Sequence, residues 1–84
     1  MTEFSYKTNG VCSRKIDIQI EDDRIVSVKF AGGCSGNTQG IESLVKGMAV
    51  DEVIDRLQGI RCGFKNTSCP DQLARALMAY KSNV

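Results

Sequence analysis

The chain has 84 residues, 42% of them hydrophobic and 25% charged, an ordinary globular balance that predicts one small domain over residues 1–84. Its net charge of +1 gives no electrostatic footprint for nucleic acid or an anionic membrane, and the absence of histidine excludes His-based catalysis and His-ligated metal sites. No apolar run is long enough to span a bilayer and no secretory leader pattern opens the sequence, so a reducing cytoplasm is the expected compartment.

In chain order, Phe4 and Tyr6 alternate with polar residues as in an edge strand. Ile16, Ile18 and Ile20 alternate with Lys15, Asp17 and Gln19, the period of a half-buried strand. Glu21-Asp22-Asp23-Arg24 reads as a polar turn, and Val26, Val28 and Phe30 as the inward residues of a further strand, which together make an antiparallel hairpin. Residues 32–37 read as a glycine-rich loop. Ile41, Leu44, Val45 and Met48 then fall at i, i+3, i+4 and i+7, one stripe of a helix ending near Gly47. Asp51 to Leu57 predicts a short helix with acidic residues in its first turn, followed by a loop over 58–66. In the last helix Ser68 is the expected N-cap, Asp71 stands where a capping box places an acid, and Leu73, Ala76, Leu77 and Tyr80 form the inward stripe. The predicted fold is α+β: a three-stranded antiparallel sheet with helices on one face.

The four cysteines fall outside the apolar periodicity. Cys12 precedes the long strand, Cys34 lies in the glycine turn before a helix, Cys62 is in a loop before Gly63, and Cys69 opens the last helix. A helix start exposes unpaired N–H groups and a partial positive charge, which favours the thiolate form that ligates metals and attacks electrophiles. Gly32, Gly33 and Gly36 let the backbone approach whatever Cys34 holds, while Asn37, Ser68 and Asp71 supply polar groups beside the cysteines. Free cysteine also commonly fills a core, and no C-x-x-C pair is present, so spacing leaves structural and chemical roles open.

The segment Thr67-Ser68-Cys69-Pro70-Asp71 resembles the signature of the TSCPD domain family. The resemblance runs over nearly the whole chain and includes GGCSGN at 32–37 and CGFKNTSCPDQLA at 62–74. It implies an association with ribonucleotide reductase, and so with deoxyribonucleotide synthesis, rather than the reductase activity itself. An 84-residue chain cannot hold that enzyme's catalytic barrel.

A more distant resemblance is to the NifU/IscU-type scaffold proteins of iron–sulfur assembly. The element order is similar, Cys34 follows Val28-Lys29-Phe30-Ala31-Gly32-Gly33, and Val45-Lys46-Gly47 precedes Val50-Asp51-Glu52 in a like pattern. This likeness implies that Cys12, Cys34 and Cys69 converge at one end of a NifU/IscU-like domain. The chain departs from that family in carrying Ser68 where a histidine usually precedes the third cysteine, and Arg14 where an aspartate follows the first. Cys62 has no counterpart there, and as a fourth ligand it would make a closed all-thiolate site suited to zinc or an iron–sulfur cluster.

Three functional readings follow. One is a metal module with Cys12, Cys34, Cys62 and Cys69 as ligands of zinc or a cluster. Another is a thiol redox or sulfur-transfer protein acting through Cys34 and Cys69. The third is a nucleotide-binding accessory subunit using the glycine turn before the helix, although no Walker A or dinucleotide pattern accompanies it. No catalytic residue set is identified. Ribonucleotide reductase and a second copy of the chain are the expected partners.

Overall fold

The computed structural model describes residues 1–11, 13–32, 35–61 and 63–82. The elements run β1 (Thr2–Lys7), β2 (Ser13–Glu21), β3 (Arg24–Gly32), α1 (Ser35–Val45), α2 (Val50–Leu57) and α3 (Cys69–Ser82). The strands form one antiparallel sheet in the order β1-β2-β3. Its inward face carries Ile16, Ile18, Ile20, Ile25, Val28 and Phe30, which pack with Ile41, Val45, Val50, Val53, Leu73, Ala76 and Leu77 from the helices. The α+β architecture with helices on one face is the one the periodicities predict.

The β2–β3 connection is tighter than the expected four-residue turn. Glu21 and Arg24 are paired, which leaves only Asp22 and Asp23 at the tip, both at positive φ (54° and 60°). That is the backbone of a type I′ turn, whose twist matches the flanking strands.

Two irregularities in the β2–β3 ladder change which residues face inward. Val26 has no partner between the pairs Gln19↔Ser27 and Ile20↔Ile25, so Ile25 enters the core and Val26 is half-buried. The sequence alternation assigns that inward place to Val26, because a bulge shifts the phase of all residues beyond it. At the other end, Arg14 lies unpaired between Ser13↔Gly32 and Lys15↔Ala31. This second bulge puts Ser13 in a buried position.

Two helical expectations also need correction. α1 begins at Ser35, so Gly36 and Asn37 are helical residues rather than part of a loop. Leu44 is 76% exposed, and the buried stripe is Thr38, Ile41 and Val45. One residue is about 100° of helical turn, which carries Leu44 off the arc centred between Ile41 and Val45.

After α1, Gly47 takes a φ of 86° and donates its N–H to the Ile25 carbonyl, while Ile25 N–H bonds Met48 O and Val50 N–H bonds Asp23 O. These bonds fix the α1–α2 connection to the start of β3.

Candidate functional site

The start of α3 is the best-anchored part of the sequence motif. Ser68 caps the helix: its Oγ accepts the Asp71 N–H at 3.1 Å, and its carbonyl accepts the Gln72 N–H at 2.8 Å. The Ser68 hydroxyl in turn donates to the Ile60 carbonyl at 2.7 Å, tying the preceding loop to the helix.

The Asp71 carboxylate does not close the reciprocal capping bond back to Ser68 that the spacing suggests. It reaches outward from the helix start instead. Oδ1 accepts the Gly59 N–H at 2.7 Å, Oδ2 accepts the Thr67 hydroxyl at 2.5 Å, and Arg75 Nε lies 2.9 Å from Oδ2. Asp71 is buried at 3% exposure. Burial alone pushes its pKa up, but the bonds from Thr67 and Gly59 and the Arg75 charge together bring it below the ordinary 3.8.

Gln72 extends this network. Its Nε2 donates to Thr67 Oγ1 at 2.9 Å and its Oε1 accepts the Asn9 N–H at 3.1 Å. A Cβ placed on Gly10 would stand 3.3 Å from the Thr67 methyl, so the backbone of this loop passes close against Thr67. The far end of the same loop is closed by Thr8, which donates its N–H to Arg14 O at 3.1 Å and its hydroxyl to Ser13 O.

Cys69 is half-buried in the first turn of α3, with its Sγ 3.3 Å from Ser13 Oγ. Cys12, Gly33, Cys34 and Cys62 lie outside the described residues. Described chain neighbours of Cys12 and Cys62 are tied to the start of α3. Ser13, next to Cys12 in sequence, touches Cys69 and pairs with Gly32, two residues before Cys34. Ile60, two residues before Cys62, is bonded to Ser68. Among the described residues there is no group of three or more His, Cys, Asp or Glu side chains placed to hold a metal.

The remaining expected site residues divide. Ser68 and Asp71 stand beside Cys69 and hold the surrounding loops. Gly36 and Asn37 are exposed in the first turn of α1, and a Cβ at Gly36 would meet nothing within 4 Å.

Sequence reasoning missed Ser13, Thr67 and Gln72. Gln72 could have been flagged, because it lies four residues before Ala76 on the inward stripe, where a polar side chain needs partners. Ser13 carries no such local signal, since a bulge turns it inward.

No helix among the described residues is long and apolar enough to cross a membrane. A family model described as TSCPD domain matches residues 2–81. No curated protein and no solved structure matches the chain significantly, so the likeness to NifU/IscU-type scaffolds rests on the sequence alone.

Proposed function

This chain belongs to the TSCPD domain family, and on that premise we propose that it is a cysteine-ligated metal module, holding zinc or an iron–sulfur cluster, that serves ribonucleotide reductase. The observation that carries the reading is that Ser13, beside Cys12 in sequence, and Ile60, two residues before Cys62, are both tied to the start of α3, where Cys69 stands. Ser13 contacts Cys69 and pairs with Gly32, while Ile60 is held by Ser68.

The donor chemistry fits. The chain has four cysteines and no histidine, and four thiolates suit tetrahedral zinc or a cluster. Cys12, Cys34, Cys62 and Cys69 would be the ligands. Bound metal would add folding free energy to a small core. The chain's own polar residues would orient the segments: Ser68 and Asp71 hold the loop before Cys62, and Gln72 holds the loop before Cys12.

The test is metal analysis and absorption spectroscopy of protein purified without oxygen. Stoichiometric zinc, or cluster absorption in the visible, is expected, and Cys34→Ser or Cys69→Ser should abolish it. Colourless, metal-free protein with four titratable thiols would overturn the metal reading. It would favour thiol redox or sulfur transfer through Cys34 and Cys69, a reading that draws on the hydroxyl of Ser13 beside the Cys69 sulfur. The link to the reductase is tested separately, by co-sedimentation of the purified chain with the reductase of the same cell.

A further inference from the structure

β1 is an edge of the sheet, and its outer side shows no backbone pairing among the described residues. The Thr8 N–H to Arg14 O bond continues the β1–β2 register, in which Thr2 faces Ile20 and Tyr6 faces Ile16. Antiparallel strands alternate bonded and non-bonded pairs. The even-numbered residues of β1 therefore turn their N–H and C=O toward β2, and Glu3, Ser5 and Lys7 turn theirs to the open edge.

The residues along that edge are self-complementary. Reversed about Ser5, the stretch Thr2-Glu3-Phe4-Ser5-Tyr6-Lys7-Thr8 sets Glu3 opposite Lys7, Phe4 opposite Tyr6 and Thr2 opposite Thr8.

We propose that β1 pairs antiparallel with β1 of a second copy across a two-fold axis at Ser5, joining the two sheets into one. In this register the residues with free backbone groups, Glu3, Ser5 and Lys7, are the ones that face each other, so the ladder closes. Each Glu3 carboxylate meets a Lys7 ammonium on the solvent face.

Phe4 and Tyr6 then form the non-hydrogen-bonded pairs, where side chains approach most closely and aromatic pairs contribute most. A parallel pairing in register would instead put Glu3 beside Glu3 and Lys7 beside Lys7. Shifting the antiparallel register by one residue either way takes Glu3 off Lys7.

The inward face of the edge is built for the same contact. Phe4 stacks on Tyr80 at 5.7 Å between ring centroids, and both rings are only half-buried. They border an open groove of ≈ 490 Å³ shared with Tyr6, Ala76 and Ala79. Across the two-fold axis, Phe4 and Tyr6 of the second copy continue this aromatic row over the groove. β1 also lacks the proline and bulges that commonly protect a free edge.

The test is sedimentation equilibrium of the reduced protein over a concentration series, with far-UV circular dichroism to confirm that each variant is folded. The parent is expected to dimerise reversibly. Lys7→Glu and Glu3→Lys should each weaken the dimer about tenfold, because each places like charges opposite one another at both ends of the ladder. The double variant Glu3→Lys/Lys7→Glu restores the opposite charges and should recover the parent affinity. A protein that stays monomeric to millimolar concentration overturns the proposal. So does a dimer indifferent to the single variants, or one that the double variant fails to restore.

Discussion

Asp71 accepts the hydroxyl of Thr67 at 2.5 Å while its other oxygen holds the Gly59 N–H at 2.7 Å. One buried carboxylate thus joins the end of the 58–66 loop to its beginning, across the residues between them. Asp71→Ala leaves a buried hydroxyl and a backbone N–H without their acceptor, a loss of roughly 2–4 kcal/mol. Asp71→Asn keeps an acceptor oxygen but loses the charge facing Arg75, and should cost less, about 1–2 kcal/mol. Urea unfolding of the two variants measures both. If Asp71→Ala proved neutral, the carboxylate would not be what holds the loop.

The same carboxylate gives stability a defined response to acid. The bonds and the Arg75 charge keep its folded pKa below the ordinary 3.8, against the opposing effect of burial. The unfolded chain therefore takes up the proton more readily than the folded one. Its contribution is complete above the unfolded value, declines as pH falls from there, and is gone below the folded value. Urea midpoints of the parent and Asp71→Asn should converge as pH is lowered through that window. A gap that stays constant would show that ionisation of Asp71 is not linked to folding.

Ser68 acts in two directions: its Oγ caps Asp71 N–H, and its hydroxyl donates to Ile60 O. Ser68→Ala loses both and should destabilise by about 1–2 kcal/mol. Ser68→Asp preserves the cap acceptor but cannot donate to Ile60, so it separates the two roles. If the loop bond matters, hydrogen exchange at residues 58–61 should speed up in Ser68→Asp while α3 stays protected.

How much of this was legible in the sequence depends on how local each cause is. α3 could be read from its own residues, since Ser68, Asp71 and the stripe through Leu73, Ala76 and Leu77 are neighbours along the chain. The sheet was legible as strands but not in its phase at Val26, because a bulge is a property of two paired strands. Cys69 could be flagged by its place at a helix start. Its contact with Ser13 could not, since the two are 56 residues apart and Ser13 is turned inward by the bulge at Arg14. Asp71 looked like a local capping acid, whereas its acceptors serve Gly59 and Thr67, which only the folded loop brings within reach.

Leu44 offers a direct comparison of pattern with packing. Sequence spacing puts it on the same stripe as Ile41, yet Leu44 is 76% exposed and Ile41 is 9% exposed. Ile41→Ala should cost about 2–3 kcal/mol through lost burial and a residual cavity. Leu44→Ala should fall within about 0.5 kcal/mol of the parent. Thermal unfolding of the two variants decides it, and equal losses would mean that Leu44 is covered in solution.

Ser13 is where the proposed function and the fold can be separated. Its hydroxyl lies 3.3 Å from Cys69 Sγ, and its carbonyl accepts the Thr8 hydroxyl. Ser13→Ala removes the first contact and keeps the second, so the loop over 8–13 retains its closure and stability should change by less than about 1 kcal/mol. If Cys69 ligates metal, the Ser13 hydroxyl is a hydrogen-bonding partner of a ligand sulfur. Removing such a partner typically weakens metal binding by about tenfold or more. Competition with a chromophoric chelator should then show faster metal loss from Ser13→Ala than from the parent, at unchanged unfolding midpoint in the metal-free form. Equal retention in both proteins would put the Cys69 sulfur outside the metal's coordination. A matched fall in metal affinity and metal-free stability would assign Ser13 to the fold alone.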